Sequence, residues 1–387
     1  MPKVIVGMSG GVDSSVTAYL LKKQGYDVEG VSFRLYEPES PEACDSCCSQ
    51  RSVEEASKTA QYLGIPHSTI DAREDFMKKV IGPFVSAYMN GSTPNPCILC
   101  NRYIKFPLLI KEADNKGAGF IATGHYARVN KLQNPDNGML CLKKGVDPKK
   151  DQSYFLYVLN QDILKRLTLP LGIFTKDEVR KMAADLKLPA AEKNESQEIC
   201  FVEAGKYLKF IEERSPGTAI PGPIVDTDGK VIGTHKGIYG YTIGQRKGMG
   251  ISSPEPLYVL RIDIEHNTIY AGPREAAKKQ EFLVGDLNWI APSFVNGTAG
   301  RENTFKASVK VRSTMKDKPA TIYFPPVSSP SSLDSSPSSF ILHPSSFPAS
   351  SFDSVRAVFD EPQWAPAPGQ SAVFYNGDMV IGGGIIL

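Results

Sequence analysis

The first residues able to do chemistry form a run rich in glycine and serine near the N-terminus. It reads Gly7-Met8-Ser9-Gly10-Gly11-Val12-Asp13-Ser14-Ser15 and lies between a predicted strand and a predicted helix. At such a junction free backbone N–H groups and the positive end of the helix bind phosphate, and paired glycines allow a close approach. Asp13 can hold a magnesium ion or position the loop. The run differs from the Walker A and Gly-x-Gly-x-x-Gly patterns, and a glycine-rich turn without a ligand is the alternative.

The second such stretch contains two cysteines and reads Thr93-Pro94-Asn95-Pro96-Cys97-Ile98-Leu99-Cys100-Asn101. The prolines should end the preceding helix, and the next helix is predicted to begin at Arg102. Cys100 is therefore predicted near a helix N-terminus, with Arg102 and Lys105 close in sequence. Both features favour a thiolate over a thiol. Cys200, in the sequence Ile199-Cys200-Phe201, is predicted to lie on a loop.

The cysteine count also leaves a metal site open. Seven cysteines in a chain of 387 residues argue against a disulfide scaffold and for thiol chemistry or metal binding. The run Cys44-Asp45-Ser46-Cys47-Cys48, together with Cys97-x-x-Cys100, satisfies the local spacing of a zinc ribbon. In a second arrangement a [4Fe–4S] cluster would be ligated by Cys97, Cys100 and Cys200. Simple burial as a small apolar residue is preferred for Cys141, which lies between two leucines.

These side chains need a frame that brings them together, and the spacing of apolar residues predicts one. Strands are predicted at Lys3–Met8, Val28–Phe33, His67–Ile70 and Gly119–Thr123. Helices are predicted at Val12–Lys23, Val53–Leu63, Asp75–Met89, Gln152–Asn160 and Lys176–Leu186. Strands that alternate with helices predict an α/β fold with a parallel sheet.

The composition changes after about Phe210, where glycine, proline and turn dipeptides become frequent. Tyr258–Asp263 and Thr268–Tyr270 are predicted to form a hairpin, and short strands recur from Glu281 onward. Their spacing predicts a small antiparallel β-barrel, interrupted by an insert rich in serine and proline that is predicted to be disordered. Three domains follow: a nucleotide-binding domain at 1–205, a small, mostly irregular adaptor at 206–280, and the barrel at 281–387 with its insert at about 325–353.

The overall charge excludes a uniformly basic protein. With 44 basic and 42 acidic residues the formal net charge is +2, so basic residues must cluster if the chain binds RNA. Lysines cluster at 143–144 and 149–150, and Arg301–Lys318 carries six basic residues against two acidic ones. Such patches suit phosphate contacts, and a solvated charged surface is the alternative. Neither a signal peptide nor a membrane span is predicted, which indicates a cytoplasmic protein without a membrane partner.

The chain resembles the bacterial tRNA 2-thiouridylase family, within the PP-loop ATP pyrophosphatase superfamily, along almost its whole length. The resemblance lies in signatures that occur in a fixed order. They are Ser9–Ser15, Thr93–Phe106, Ala122–Arg128, Lys150–Leu156, Ile199–Phe201, Thr242–Gly248 and Pro368–Tyr375. Any one of them could arise by chance, but their ordered occurrence makes chance very improbable.

The resemblance implies an ATP-dependent tRNA sulfurtransferase that replaces the C2 oxygen of the wobble uridine by sulfur, with AMP and pyrophosphate as by-products. It assigns Cys100 as the nucleophile and Cys200 as the persulfide carrier, with Asp13 at the same catalytic site. The implied ATP site, with Mg²⁺, consists of Gly7, Met8, Ser9, Gly10, Gly11, Val12, Asp13, Ser14, Phe33 and Gly124. The implied tRNA contacts are Asn95, Pro96, Cys97, His125, Lys150, Asp151, Gln152, Arg312, Ser313 and Gln370.

The same resemblance implies partners. These are tRNAs of the lysine, glutamate and glutamine type and a persulfide donor protein such as a cysteine desulfurase or a sulfur relay. The target base has to leave its stack to reach the thiols. Two rival functions stay open: a PP-loop synthetase that amidates a small molecule and needs neither Cys100 nor Cys200, and a metal-dependent RNA-binding protein without turnover.

Overall fold

The computed structural model describes residues 1–37, 50–131, 139–193, 199–203, 205–217, 219–291, 303–325 and 354–387. Its helices are α1 (Val12–Lys23), α2 (Gln50–Leu63), α3 (Arg73–Phe76), α4 (Gly82–Met89), α5 (Pro96–Cys100), α6 (Phe106–Asn115), α7 (Gln161–Arg166), α8 (Lys176–Asp185) and α9 (Tyr207–Arg214). None of these described helices is long and apolar enough to cross a membrane. The predictions for Cys44, Cys47 and Cys48, and for residues 326–353 of the insert, lie outside the described residues.

The strands of the described residues belong to three sheets. They are β1 (Lys3–Gly7), β2 (Asp27–Arg34), β3 (His67–Asp71), β4 (Phe120–Ala122), β5 (Ala127–Lys131), β6 (Leu140–Lys144), β7 (Leu167–Thr168), β8 (Gly222–Val225), β9 (Val231–His235), β10 (Tyr258–Asp263), β11 (Thr268–Gly272), β12 (Lys278–Trp289), β13 (Thr304–Lys310), β14 (Lys318–Tyr323), β15 (Ser354–Trp364), β16 (Ser371–Asn376) and β17 (Met379–Ile386).

Five parallel strands, in the order β3-β2-β1-β4-β7, form the sheet that carries the glycine-rich run. The central strand β1 is buried on both faces. Ile5 packs in one apolar cluster with Leu109 of α6, whereas Val4 and Val6 pack in another with Val16 of α1. Burial on both faces is why this strand is a continuous apolar run and not an alternating one. The predicted parallel α/β fold is confirmed.

The helices on either side of the cysteine segment each contain a π-helical turn, at Met77–Ile81 and Asn101–Lys105. A proline follows two residues after each turn, at Pro83 and Pro107. Proline has no N–H to donate and its ring crowds the preceding turn, so the regular hydrogen-bond ladder cannot continue there. The helix widens instead, and one of the two widened turns begins directly after Cys100.

The segment Gln152–Asn160 is not the helix that its apolar spacing predicts. It contains a short 3-10 turn at Ser153–Phe155 followed by further turns. Tyr154 and Tyr157 are fully buried, and their hydroxyls bond to Ser371 of the barrel at 2.8 and 3.1 Å. Buried hydroxyls require hydrogen-bond partners, and the two bonds to Ser371 hold the backbone of this segment in an irregular path. The helix prediction is therefore wrong because contacts between domains outweigh the local pattern.

Residues 222–272 contain a second sheet, in the region predicted to be mostly irregular. Its strands lie in the order β10-β11-β8-β9, and the predicted hairpin is confirmed as β10 and β11 with Asp263 opposite Thr268. Ile224, Val259 and Ile269 belong to its separate small core. Strands β8 and β9 were not predicted, because segments of four and five residues are too short to give a clear alternating pattern.

The C-terminal strands form the antiparallel barrel that their spacing predicts. The order β12-β15-β14-β13-β16-β17 is closed by pairing of β12 with β17. Trp289, Phe305 and Phe374 pack against one another in its core. The turn at Asn376-Gly377 joins β16 to β17, with Gly377 in the left-handed region at φ +60°.

A hairpin from the N-terminal half, β5 and β6, extends the barrel sheet and was not predicted. Strand β6 pairs with β17, with Leu142 opposite Val380. Lys144 bonds to Asp317 at 2.7 Å, and its ammonium lies 4.4 Å from the centre of the Tyr375 ring. The nucleotide-binding region and the barrel therefore share one continuous hydrogen-bonded sheet.

Candidate nucleotide and thiol site

The glycine-rich run begins where β1 ends at Gly7 and enters α1 at Val12. Gly11 occupies the N-cap position, and no side chain caps the helix there. The serine hydroxyls hold the loop in shape: Ser14 Oγ accepts from the N–H of Ser9 at 3.2 Å, and the Ser14 hydroxyl donates to the Gly11 carbonyl at 3.1 Å. An uncapped helix N-terminus at the carboxyl end of a parallel strand is a binding site for phosphate.

Two glycines beside this loop cannot be replaced without moving backbone. Gly10 has φ +70°, and a Cβ there would lie 2.3 Å from the carbonyl oxygen of Ser52. Gly124 lies against the first turn of α1, where a Cβ would come within 2.9 Å of the Asp13 carbonyl carbon and 3.0 Å of the Ser14 nitrogen. Glycine is therefore required at both positions, because another stretch of backbone approaches each of them closely.

Replacing Gly124 by alanine is expected to displace the first turn of α1 and to weaken ATP binding by about tenfold or more, or ~1.4 kcal/mol. The reason is that the added methyl overlaps backbone atoms, which cannot rotate away. Calorimetric titration of the full chain with ATP measures the effect. Gly119→Ala, just before β4, is the matched control because its Cβ would meet no atom within 4 Å. Equal ATP affinity in the two variants would contradict the conclusion that Gly124 must lie against the backbone of α1.

Asp13, in the first turn of α1, is held by two side chains. Lys176 Nζ donates to both carboxylate oxygens, at 2.7 and 2.8 Å, and the Tyr126 hydroxyl donates to one of them at 2.6 Å. The Lys176 side chain is only 7% exposed, against 33% for Asp13. The sequence leaves two roles open for Asp13, magnesium binding and positioning of the loop. This geometry supports positioning.

Lys176 is a site residue that the sequence reasoning missed. It is the first residue of α8, after a Thr175 cap that forms a reciprocal capping box with Glu178. A cation at that end of a helix is opposed by the helix dipole. A lysine at this unfavourable helix position was the available sign in the sequence that its ammonium pairs with a carboxylate elsewhere in the chain.

The predicted RNA-contacting segment Lys150-Asp151-Gln152 is bonded to the same site. Gln152 binds the backbone of Tyr126 in both directions, since its Oε1 accepts from the Tyr126 N–H at 3.0 Å and its own N–H donates to the Tyr126 carbonyl at 2.9 Å. The Asp151 carboxylate accepts from the N–H groups of Gly145 and Ser153, both at 3.1 Å. Lys150 is half-buried. RNA contact at these positions stays a prediction, and the observed bonds hold the segment against Tyr126.

His125 is placed as an uncharged ring. It stacks on Phe106 with 5.9 Å between ring centres, and its Nδ1 bonds to the Thr123 hydroxyl at 2.8 Å. Burial, assisted by the charge of Lys105, lowers the pKa of His125 well below its ordinary value. The ring is therefore neutral near pH 7 and can offer RNA a hydrogen bond or a stacking face, but not a positive charge.

The cysteine segment begins its helix earlier than predicted. Helix α5 starts at Pro96 with Asn95 as its N-cap, so Cys97 lies in the first turn and Cys100 at the end. The predicted helix start at Arg102 is therefore wrong, because the prolines start this helix instead of only ending the previous one, and Cys100 is the fifth residue from its start. Cys97 is exposed and Cys100 is 8% exposed. Arg102 forms an ion pair with Asp286 of β12, so its charge is balanced there.

Cys100 and Cys200 are far apart in sequence but are associated with the same apolar cluster. We call it the aromatic cluster; it contains Cys100, with Cys200 packed against it, and is built on the ring of Phe201. That ring lies 5.5 Å from Phe76, 5.2 Å from Phe84 and 5.3 Å from Phe210 between ring centres. Because Phe201 is fixed, the preceding residue Cys200 is held at the edge of the cluster.

The aromatic cluster adjoins the glycine-rich run through β2. Phe33, near the end of β2, packs against the cluster, and Gly7 at the end of β1 is the register partner of Val31. Cys141, by contrast, is 1% exposed on β6, which confirms its interpretation as a buried apolar residue, and burial raises the pKa of its thiol. Cys100 and Cys200 are thus associated with a cluster that contacts β2, the strand paired with the end of β1 where the glycine-rich run begins.

The remaining predicted RNA contacts lie where the barrel meets the other domains. Arg312 Nη2 donates to the carbonyls of Ile243 and Ala365, at 3.0 and 2.9 Å, and burial lowers the pKa of this guanidinium. Gln370 Nε2 donates to the Thr93 carbonyl at 2.9 Å. Ser313 is half-buried. Contact of these three residues with RNA stays a prediction.

Three family models match the chain in order. The model described as tRNA methyl transferase HUP domain matches residues 2–204. The tRNA methyl transferase PRC-barrel domain matches residues 208–273, and the Aminomethyltransferase beta-barrel domain matches residues 344–386. The matches follow the order of the parallel sheet, the small second sheet and the barrel.

Individual relatives match nearly the whole chain. The tRNA-specific 2-thiouridylase MnmA 1 of Caldanaerobacter subterraneus subsp. tengcongensis is 44% identical over 387 residues, covering 99% of this chain and 97% of that protein. The tRNA-specific 2-thiouridylase MnmA of Heliobacterium modesticaldum is 44% identical over 386 residues, covering 99% of this chain and 92% of that protein. Among solved structures, a 4-thiouridine synthetase–RNA complex with bound ATP has 18% identity and a TM-score of 0.34, covering 56% of this chain and 50% of that chain.

Proposed function

The chain belongs to the tRNA-specific 2-thiouridylase family, and from this premise we propose that it uses ATP to replace the C2 oxygen of a tRNA uridine by sulfur. The relatives that match 99% of the chain are named for thiolation, whereas the models that match its parts are named for methyl transfer. The longer match decides the family. The observation that carries the proposal is the contact between the aromatic cluster, with its two cysteines, and the end of β2 beside the glycine-rich loop.

The first half of the reaction activates the uridine. The substrate MgATP lies with its phosphates at the N-terminus of α1, where backbone N–H groups and the helix dipole favour negative charge. The C2 oxygen of uridine attacks the α-phosphorus, the bond to the β-phosphate oxygen breaks, and pyrophosphate leaves. The base then carries AMP on its C2 oxygen. A carbonyl oxygen is a poor leaving group, and this step turns it into a phosphate ester that leaves readily.

The second half transfers sulfur. Cys200 carries a persulfide, whose terminal sulfur loses its proton and attacks C2, and the C2–O bond breaks with release of AMP. The thiolate of Cys100 then attacks the Cys200 sulfur, the S–S bond to the transferred atom breaks, and its electron pair stays on that atom as the C2 thiocarbonyl. The products are 2-thiouridine and a Cys100–Cys200 disulfide, which an external thiol must reduce before the next turnover.

The burial of Cys100 sets a condition on the substrate. At 8% exposure this thiol is out of reach of a base stacked in RNA, so the target uridine must be extruded into the site. Asn95, Pro96 and Cys97, which precede Cys100 on the same segment, are assigned to face the target base. We assign the wobble uridine of tRNAs of the lysine, glutamate and glutamine type as the target. The persulfide comes from a donor protein such as a cysteine desulfurase or a sulfur relay.

An iron–sulfur cluster is the alternative source of sulfur chemistry. It requires Cys97, Cys100 and Cys200 to converge on one centre. Cys97 is exposed while Cys100 is buried, and the part of the chain that the structure describes contains no group of three histidine, cysteine or acidic side chains placed to hold a metal. The described residues do not fit the cluster, and no step is assigned to it.

Nucleoside analysis of cellular tRNA tests the proposed function. In cells that lack this protein, 2-thiouridine and its derivatives should disappear from bulk tRNA hydrolysates measured by mass spectrometry. A plasmid with the wild-type chain should restore them. The level of 4-thiouridine, which forms on a different carbon of the base, serves as the internal control. Unchanged 2-thiouridine in the deletion strain would refute the proposal.

A further inference from the structure

Thr93 lies three residues before α5, in the first domain, and is bonded to both of the other regions of the protein. Its N–H donates to the carbonyl of Pro368 at 2.8 Å, and its carbonyl accepts from Gln370 Nε2 at 2.9 Å. Its hydroxyl donates to the Thr242 hydroxyl at 3.2 Å, between the first domain and the central one. Both backbone polar groups of this one residue are therefore satisfied by the barrel, and its side chain by the central region.

The barrel side of this joint is a shaped and anchored loop. Gly369 has φ +86°, and a Cβ there would lie 2.9 Å from the Thr93 nitrogen, so only glycine lets the two backbones meet. The loop is fixed to β17, since the Gly369 N–H donates to the Ile386 carbonyl at 2.9 Å and the Ile386 N–H donates to the Gln370 carbonyl at 2.8 Å. Gln370 thus reaches Thr93 from a rigid strand end.

The central side of the joint is tied to the barrel as well. Gln245 Oε1 accepts from the Thr242 N–H at 3.0 Å, and the neighbouring Ile243 carbonyl accepts from Arg312 at 3.0 Å. The same Arg312 nitrogen donates to Ala365 at 2.9 Å. The Thr242 hydroxyl that binds Thr93 therefore belongs to a segment held by the side chains of Gln245 and Arg312.

We propose that Gln370 and Thr93 are positioning residues, through which the barrel and the central domain fix the entry of α5 and so the location of Cys100. Helix α5 has only five residues and runs into the π-helical turn at its C-terminal end. Its other end follows Thr93, whose backbone N–H and carbonyl are both held by this joint. Gln370 therefore acts through the protein and not by contact with tRNA. The effect on the kcat for thiolation rests on the proposed function, whereas the effect on the alkylation rate of Cys100 does not.

The chemical readout is the alkylation rate of Cys100 in the full chain without ATP or tRNA, followed by mass spectrometry of its peptide. Gln370→Met keeps the length of the side chain but removes the donor to Thr93. Loss of one hydrogen bond changes a local opening equilibrium by roughly three- to tenfold, so Cys100 should react about that much faster. Gln363→Met is the matched control. Gln363 Nε2 donates to the Glu361 carbonyl at 2.8 Å, and neither residue contributes a bond to Thr93.

The hydroxyl of Thr93 is tested separately. Thr93→Val removes the bond to Thr242 at nearly constant shape, and Thr93→Ser retains it. The valine variant should show faster Cys100 alkylation and a lower kcat for thiolation, with the affinity for tRNA unchanged, and the serine variant should restore both. Gln370→Met should show the same split between kcat and tRNA affinity.

A direct RNA contact predicts the opposite pattern. Weaker tRNA binding by Gln370→Met, with Cys100 alkylated at the wild-type rate, would overturn the inference. The alkylation result holds whether or not the wild-type protein makes 2-thiouridine, so failure of the proposed function and failure of the positioning role are distinguishable.

Discussion

Serine in place of Cys100 is expected to abolish 2-thiouridine formation, with a loss of about 10³-fold or more, because a hydroxyl cannot attack the Cys200 sulfur and form the closing S–S bond. The sulfur has already reached C2 before Cys100 acts. Cys100→Ser should therefore still release AMP and should accumulate tRNA joined to Cys200 through a disulfide. Gel electrophoresis with and without a thiol reductant detects this adduct.

Serine in place of Cys200 should be equally inactive for a different reason. Without the Cys200 sulfur no persulfide can be carried, so neither product nor adduct should form. Both cysteines belong to or pack against the aromatic cluster, so their folding is compared by thermal unfolding before activity is interpreted. An adduct in the Cys200→Ser protein would contradict the assigned roles.

Cys97→Ser is the matched control for this pair. Cys97 lies on the same short helix as Cys100 but is exposed, and the persulfide route assigns it no bond to make or break. The variant should keep most of the activity. Inactivation equal to that of Cys100→Ser would favour three cysteines acting on one metal centre and would contradict the two-thiol relay.

Methionine in place of Lys176 is expected to weaken ATP binding by more than tenfold and to lower the thermal midpoint. It leaves the Asp13 carboxylate, in the first turn of α1, with the Tyr126 hydroxyl but without the cation. Breaking a buried ion pair costs about 3–5 kcal/mol. Asp13 keeps a third of its surface exposed, so the cost here should fall at the lower end of that range.

A double-mutant cycle separates the pair from the general loss of a lysine. Asp13→Asn and Lys176→Met should couple by about 1–3 kcal/mol in ATP affinity, because each removes the partner of the other. Lys165→Met is the control, since the Lys165–Asp162 pair at 3.2 Å is exposed and such pairs contribute little. Additive effects of the two substitutions would show that Lys176 does not act through Asp13.

Local patterns were enough to predict the α/β sheet and the place of the phosphate loop. Helix α1 begins and ends at the predicted residues, Val12 and Lys23, because the glycine run, the apolar spacing and the last-turn lysines all agree. The barrel was predictable for a similar reason, since its strands alternate and end at recognisable turns such as Asn376-Gly377. Where every local signal agrees with the fold, the sequence alone is sufficient.

Contacts between distant residues were not predictable. Lys176 lies 163 residues from Asp13, and Gln370 lies 277 residues from Thr93. No periodicity in the chain connects such pairs, because they form only when separate elements pack. The pairing of β6 with β17 was not predictable for the same reason, because β17 is the last strand of the chain.

In the cysteine segment the prolines were correctly interpreted as a helix boundary, but the boundary was assigned to the wrong helix. Pro94 and Pro96 mark a helix boundary, but proline is as well suited to the first turn of a helix as to the residues after its end. The structure uses Pro96 to begin α5, and Pro107 to widen the following helix. Cys100 therefore lies one turn inside the helix, where it is buried in the aromatic cluster.

The most direct test of the account follows the sulfur atom through a single turnover. Wild-type protein carrying isotopically labelled sulfur as a persulfide on Cys200 is mixed with ATP and an unmodified tRNA transcript. We expect labelled 2-thiouridine, one AMP for each 2-thiouridine, and a Cys100–Cys200 disulfide in the peptide map. Label that stays on Cys200, or labelled product formed while both cysteines remain thiols, would contradict it.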